Sequence, residues 1–141
     1  MFMSMKKPAA PAAITRKQFE QLATFRYQLR QFLRFSEQVS REHGITPIQY
    51  QLMLQIRGFP ERDWATVGEL AERLQTRHNA MVSLVTRCEA LGIVERTRSE
   101  TDGRAVHVML TKKGLQILDR LAPLHHAELQ ALRDVLAPAS R

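Results

Sequence analysis

Cysteine is nearly absent from this 141-residue chain, which has a single one at position 88. One thiol cannot form an internal disulfide, so the small disulfide-stapled folds are excluded and a reducing compartment is favoured. The sequence also lacks any apolar run near the ~20 residues of a membrane-spanning helix, and its start has no secretory pattern. We therefore expect a cytoplasmic protein with no membrane partner.

Motifs of catalysis and cofactor binding are missing as well. The sequence has no glycine-rich phosphate loop, no clustered pair of acids and no nucleophile motif. An alternative is a metal site formed by Glu42 and His43 together with other histidines of a folded dimer. The five histidines are scattered, however, without regular ligand spacing. These observations predict a protein that is not an enzyme and that binds no metal or cofactor.

The chain has few acidic residues for its basic ones. It contains 21 Lys and Arg residues and 14 Asp and Glu residues, so its net charge is +7. Such a balance favours an anionic partner, either nucleic acid or an acidic membrane surface. The length suffices for one domain with a modest core, to which a dimer interface would add buried surface. We expect residues 1–13 to form a flexible tail and residues 14–141 to form a single domain.

A helix-turn-helix is predicted within residues 66–91. Thr66 and Glu69 fit a capping box that starts a short helix, and only two residues separate this helix from the next periodic run. Two short helices joined so tightly are typical of a helix-turn-helix. The second helix runs from about Arg77 to Leu91, and its inward face carries apolar side chains: Met81, Leu84, Val85 and Cys88.

The opposite face of the second helix carries short side chains that can approach base edges: Asn79, Ser83, Thr86 and, at the margin, Val82. Taken alone, such a face could simply meet solvent. The residues C-terminal to this helix favour DNA instead, because they predict a hairpin beside it. Gly92 can end the helix, residues 93–98 and 105–110 alternate as strands, and Asp102-Gly103 is a hairpin-turn dipeptide.

The predicted hairpin is a two-stranded wing whose tip has an arginine at each end, Arg98 and Arg104. Exposed hairpins use charge to protect their edges, but beside a recognition helix the same arginines can reach the minor groove and its phosphates. The segment Asp63–Ala65 could add a third, small strand.

In these motifs the sequence resembles the multiple-antibiotic-resistance regulator (MarR) family. The order and spacing of the motifs make a chance match hard to obtain. The resemblance implies a mostly α fold with a small β-wing, in which a winged helix-turn-helix is flanked by N- and C-terminal dimerisation helices. It also implies a homodimeric transcription factor, commonly a repressor released by a small molecule or by oxidation. The matching segments are Leu70-Ala71-x-x-Leu74, Leu84-Val85-x-Arg87-x-Glu89-x-x-Gly92, Val94-x-Arg96 and Asp102-x-Arg104, followed by Leu110-Thr111-x-x-Gly114.

Two long amphipathic helices, at about 15–43 and 112–137, are predicted to flank a winged helix-turn-helix at about 46–111. In the family such terminal helices intertwine to form the dimer. Pro123 should kink or divide the second of them. The apolar stripe of the first contains Leu22, Phe25, Leu29, Phe32, Leu33, Ser36 and Val39.

The expected partner is double-stranded DNA with a pseudo-palindromic operator. Family members often carry Ser, Thr or Pro where Arg77 and His78 stand, so a different or more basic half-site is expected. Non-specific nucleic-acid binding, and a cysteine- or metal-responsive regulator of the same fold, remain alternatives. The candidate DNA-binding residues are Arg77, His78, Asn79, Val82, Ser83, Thr86, Arg87, Arg98, Asp102 and Arg104.

A small anionic aromatic effector, such as a phenolic acid, is the expected ligand. Charged and aromatic residues on the first long helix, with one on the next, could offer it a cation and apolar walls; the alternative is that they are ordinary core and surface. The candidate ligand-binding residues are Phe25, Arg26, Tyr27, Arg30 and Tyr50.

Overall fold

A computed structural model describes residues 6–7, 12–99, 101 and 103–136. Asp102, most of the expected tail and residues 137–141 lie outside the described residues. Across the part that is described, no helix is both long enough and apolar enough to cross a membrane. The elements are α1 Arg16–Glu42, α2 Pro47–Arg57, β1 Trp64–Ala65, α3 Val67–Arg73, α4 His78–Ala90, β2 Val94–Arg98, β3 Val106–Leu110 and α5 Lys112–Leu136.

Threonines cap the first three helices in the same way. Thr15, Thr46 and Thr66 each accept a hydrogen bond from the backbone N–H three residues on, and that residue's side chain accepts one from the threonine backbone. Each box satisfies two amide donors that the first turn leaves without helical partners. The capping box expected at Thr66 and Glu69 is therefore confirmed.

The three strands form one antiparallel sheet in the order β1-β3-β2. Val94 pairs with Leu110 and Arg98 with Val106, so β2 and β3 align along their full length. Trp64 pairs with Met109 on the other side of β3. The wing is thus three-stranded, and the expectation of a small strand before Thr66 is confirmed.

The hydrophobic core lies where the helix-turn-helix packs on α2 and on the inner face of the sheet. Its largest fully buried side chains come from all of these elements and from α5: Leu52, Met53, Ile56, Leu70, Met81, Val85, Val108 and Leu121. The inward stripe predicted for α4, which includes Cys88, is buried as expected.

The start of α5 is clamped to the end of α4. Thr111 Oγ1 donates to the Gly92 carbonyl at 2.5 Å, and Lys113 Nζ donates to the Leu91 carbonyl at 2.8 Å. A Cβ at Gly114 would lie 2.1 Å from the Ile93 carbonyl oxygen, so only glycine permits this close approach. Gly92 has a φ of +77° and ends α4 in the left-handed conformation, as predicted.

Pro123 lies inside α5, which continues without a break to Leu136. The sequence predicts a kink or a division at Pro123, and the division is wrong. A proline removes one N–H, whose partner in a regular helix would be the Asp119 carbonyl. Asp119 and Pro123 are both exposed, so water can satisfy the freed carbonyl and the helix persists.

Candidate nucleic-acid interface

The α4 helix presents one side to solvent because its other side is held in the core. Met81, Val85 and Cys88 are fully buried. Arg77 is its N-cap, but the Arg77 side chain makes no capping hydrogen bond. The first-turn amides of α4 therefore point outward without a side-chain partner from the cap, which is the arrangement that phosphate oxygens favour.

The turn before α4 is tight and left-handed at Gln75, whose φ is +56°. The Thr76 N–H donates to the Ala71 carbonyl at 2.9 Å, and Gln75 Nε2 donates to the Glu72 carbonyl at 2.7 Å. These bonds close the end of α3 and fix the direction in which α4 starts. The two-residue link was visible in the sequence, but a positive φ at a glutamine had no local signal.

The expected DNA-facing residues of α4 share its solvent side. Val82, the residue at the margin, has a relative exposure of 38%. The others are exposed along the whole length of the helix: Arg77, His78, Asn79, Ser83, Thr86 and Arg87. All seven side chains are exposed, including the four that the periodicity placed on the outward face: Asn79, Val82, Ser83 and Thr86.

Arg96 on β2 connects the wing to α4. Its guanidinium donates to Glu89 Oε1 at 2.6 Å and to Thr86 Oγ1 at 3.0 Å. Thr86 Oγ1 in turn donates to the Val82 carbonyl at 3.0 Å. Arg96 was absent from the candidate residues, although its alternation with Val94 and Arg98 placed it on the strand face that meets α4.

The two arginines of the wing tip have different positions. Arg98 Nη1 donates to the Gly103 carbonyl at 2.7 Å, so Arg98 helps to close the hairpin. The Ser99 N–H donates to the Ala105 carbonyl at 3.0 Å and closes it further. Arg104 is exposed at the tip. Asp102 lies outside the described residues.

A stack of two arginines and three rings lines the other side of the sheet. His107 stacks on Trp64 with 3.4 Å between ring centroids. Arg62 lies 3.9 Å from the centroid of the Trp64 ring and 3.9 Å from that of Phe59. Arg73 caps the stack 4.4 Å from the Phe59 ring centroid. Cation–π contacts of this kind hold the wing, the preceding loop and α3 together.

Glu69 links this stack to the start of α3. Arg62 forms an ion pair with the Glu69 carboxylate. Burial raises the pKa of Glu69, but hydrogen bonds from the Thr66 backbone, from Arg62 and from the Thr66 hydroxyl outweigh it, so the pKa is lowered overall. The ionised carboxylate is therefore part of the folded arrangement around α3.

Cys88 is buried on the core face of α4. Burial raises the pKa of the Cys88 thiol to about 11, with a smaller opposing effect from the charge of Arg87. At neutral pH the reactive thiolate is therefore scarce and shielded. The position agrees with the expectation that Cys88 is a small core side chain.

A separate apolar groove of about 430 Å³ lies between α1, α2 and α5. Tyr50 is 4% exposed and stacks on His125, with 4.1 Å between ring centroids. His125 Nδ1 donates to the Leu121 carbonyl at 3.0 Å, and Nε2 lies 2.8 Å from Ser36 Oγ. The groove is lined by side chains that include Phe32, Leu33, Ser36, Tyr50, His125 and Leu129.

Only one of the five expected ligand-binding residues, Tyr50, lines this groove. The four from α1 are exposed on that helix: Phe25, Arg26, Tyr27 and Arg30. Tyr27 accepts a hydrogen bond from Gln31 at 3.1 Å instead of facing Tyr50. The signal that could have identified the groove was the pair Ser36 and His125, polar residues within apolar helical stripes. Among the described residues no three His, Cys, Asp or Glu side chains lie close enough to hold a metal ion.

Part of the chain matches a known protein family in sequence. Residues 43–105 match the sequence model of the MarR family. The helix-turn-helix transcriptional regulator YkoM of Bacillus subtilis is 27% identical over 101 residues, a match that covers 70% of this chain and 62% of YkoM. The chain thus spans less than two thirds of that relative.

Solved structures show the same fold. AbsC, a MarR family regulator from Streptomyces coelicolor, superimposes with a TM-score of 0.74 at 24% identity, covering 91% of this chain and 86% of AbsC. Sco3205 from the same organism, solved in complex with DNA, gives a TM-score of 0.72 at 20% identity over 93% of this chain and 82% of its own. The chain therefore has the winged-helix fold of MarR family regulators, with α1 and α5 flanking the winged helix, and its residues 43–105 resemble that family in sequence.

Proposed function

We propose that the protein is a sequence-specific DNA-binding regulator that inserts α4, its recognition helix, into the major groove. The observation that carries this proposal is the continuous solvent face of α4, where short polar side chains such as Asn79 and Ser83 lie between Arg77 and Arg87. Short polar groups can approach base edges, and the flanking arginines can neutralise phosphates. The net charge of +7 supports an anionic partner.

The wing supplies the second contact of this proposal. Arg98 and Arg104 lie on either side of the wing tip, and Arg96 on the same hairpin contacts α4. Arginines on such a hairpin suit the minor groove next to the reading site. The proposed site therefore consists of the ten candidate residues, with Asp102 included because the family motif carries it beside Arg104.

Homodimerisation is part of the proposal and is supported by apolar side chains that one chain alone leaves uncovered. On α1, Leu22 is 56% exposed and Leu33 is 54% exposed. Leu124 and Leu129 of α5 are also exposed. Burying such stripes against a second copy would place two recognition helices about one turn of DNA apart, roughly 34 Å, and would require a pseudo-palindromic operator.

The regulatory part of the proposal is repression relieved by a small aromatic or phenolic compound. The groove beside Tyr50 and His125 has apolar walls, a hydroxyl at Ser36 and a volume of about 430 Å³, which suits a small ring compound. Arg26 and Arg30 remain proposed partners for the acid group only if a second copy carries them to the groove. Release requires the ligand to favour a dimer with the wrong spacing between recognition helices.

Selection from a random duplex pool with the full chain tests this function. We expect one inverted-repeat consensus and a sedimentation mass of two chains. The selected duplex and a scrambled one are then titrated at low and moderate salt. A sequence reader keeps its preference as salt rises, whereas a purely electrostatic binder loses it. Equal affinity for both duplexes at moderate salt would instead support non-specific binding.

A further inference from the structure

Arg96 fixes the position of the wing against one edge of the recognition helix. Its backbone N–H donates to Glu89 Oε2 at 3.2 Å while its Nη1 donates to Glu89 Oε1. Its Nη2 donates to the Val82 carbonyl at 3.3 Å and to Thr86 Oγ1 at 3.0 Å. Because a guanidinium holds its donors in one rigid plane, several simultaneous acceptors define its position closely.

The same contacts occupy the hydroxyl of Thr86. Its oxygen accepts from Arg96 and its single hydrogen is donated to the Val82 carbonyl. While that bond persists, Thr86 has no hydrogen left to donate to a base. The residue is nevertheless exposed on the solvent side of α4. Its methyl group is then the part of the side chain best able to contact a base edge.

Val82 extends this apolar character. It precedes Thr86 by four residues, so the two side chains are neighbours on the helix surface. Val82 is 38% exposed although its neighbours on the same side, Asn79 and Ser83, are polar. In the major groove the apolar mark of a base is the C5 methyl group of thymine, which cytosine lacks. The exposed methyl groups of Val82 and Thr86 can make an apolar contact with the thymine methyl group.

We propose that Thr86, seated beside Val82, selects a thymine in each half-site through its C5 methyl group. Arg96 is the positioning residue that engages the Thr86 hydroxyl and leaves the methyl group to read the base. This inference rests on the proposed DNA binding by α4. Removing one methyl group from such a contact should weaken binding about fourfold.

Deoxyuridine substitution tests the role of Thr86, because deoxyuridine differs from thymidine only by the missing C5 methyl group. Each thymine of the selected duplex is replaced singly. We expect one position per half-site where the parent protein loses about fourfold in affinity. Thr86→Ser, which lacks the methyl group, should lose this sensitivity, and Thr86→Val, which keeps it, should not.

The results separate this inference from the proposed function. A parent protein that selects no consensus sinks the proposed function. A clear consensus in which no thymine responds to deoxyuridine overturns the inference alone, as does a Thr86→Ser protein that keeps the parent's response. The deoxyuridine experiment leaves Arg96 and the wing unchanged in sequence. Its outcome therefore does not depend on a substitution that could unfold the wing.

Arg96→Met tests the positioning role, because it retains an apolar stem and removes the guanidinium. The Thr86 hydroxyl is then held only by its bond to the Val82 carbonyl, which it can exchange for a bond to a base, and the selected base at that position should become mixed. Adding Thr86→Val should restore the thymine preference, which a general loss of wing structure would not allow. An unchanged thymine preference in Arg96→Met, or no restoration in the double variant, overturns the role of Arg96.

Discussion

Trp64 and His107 stack almost in parallel, with 3.4 Å between ring centroids and 5° between ring planes. They join β1 to β3 across the outer face of the sheet, and Trp64 is the only tryptophan of the chain. Its fluorescence therefore reports on this face of the wing alone.

His107→Ala should uncover one face of the Trp64 ring, shift its emission to longer wavelength and increase quenching by acrylamide. Loss of the stacked pair should also lower the free energy of unfolding by about 0.5–1.5 kcal/mol. His126→Ala, which changes an exposed histidine on α5, is the matched control. An unchanged spectrum in His107→Ala would contradict the stacked arrangement.

Gly114→Ala should be strongly destabilising, because its Cβ would lie 2.1 Å from the Ile93 carbonyl oxygen. Relieving that overlap must shift α5 away from the end of α4, and we expect a loss above about 2 kcal/mol in urea unfolding. Gly68→Ala is the control, because a Cβ there meets nothing within 4 Å. In the helix, that change should stabilise the fold by up to about 1 kcal/mol. Equal urea midpoints for Gly114→Ala and Gly68→Ala would contradict the close contact between the start of α5 and the end of α4.

Glu69→Gln should reduce stability at neutral pH, with an effect that fades in acid. The pKa of Glu69 is lowered in the folded chain from the ordinary value of 4.5, so its ionised form stabilises the fold above that value and this contribution is lost as the pH falls. Thermal midpoints of parent and variant should therefore converge below the ordinary pKa. Glu72→Gln, an exposed change on the same helix, is the matched control.

Cys88→Ala should cost about 1–2 kcal/mol of unfolding free energy, because it leaves a small cavity on the buried face of α4. With its pKa raised to about 11, the thiol should react slowly with iodoacetamide in the folded chain at neutral pH and quickly in urea. The variant should keep DNA binding and its response to ligand. Peroxide release of DNA from the parent but not from Cys88→Ala would show that the cysteine is a redox sensor.

Asn79 and Arg104 should respond differently to replacement if the proposed interface is correct. Asn79→Ala should alter the selected consensus, because Asn79 faces the bases. Arg104→Ala should weaken binding to every duplex and reduce the salt slope by about 1. Circular dichroism of Arg104→Ala is needed to show that the wing stays folded. An unchanged consensus for Asn79→Ala would remove that residue from the reading set.

Local signals made the helix starts and the wing predictable. A capping box such as Thr66 with Glu69, and a helix end such as Gly92, each depend on a few neighbouring residues, so their structure could be read from spacing alone. The resemblance to the MarR family then predicted how these helices and strands are arranged. The DNA-binding roles assigned to α4 and to Arg104 stay predictions.

Contacts between distant residues were not predictable in the same way. His125 and Ser36 are 89 residues apart, and Arg96 reaches back 10 residues to Thr86. Such pairs depend on how whole elements pack, which periodicity does not specify. The ligand-binding residues predicted on α1 have suitable side chains on a single helix, but none of them lines the groove. Only Tyr50, on α2, does so.

The clamp between α4 and α5 makes the long terminal helix a lever arm for the recognition helix. With 25 residues, α5 is about 37 Å long. Thr111, Lys113 and Gly114 hold its first turn directly against the end of α4, although the wing separates the two in sequence. If α5 tilts as a rigid rod, a displacement of about 1 Å at its far end becomes a rotation of about 1.5° at the clamp. Under the proposed function, small movements between α5 and its neighbours would change the angle at which α4 meets DNA.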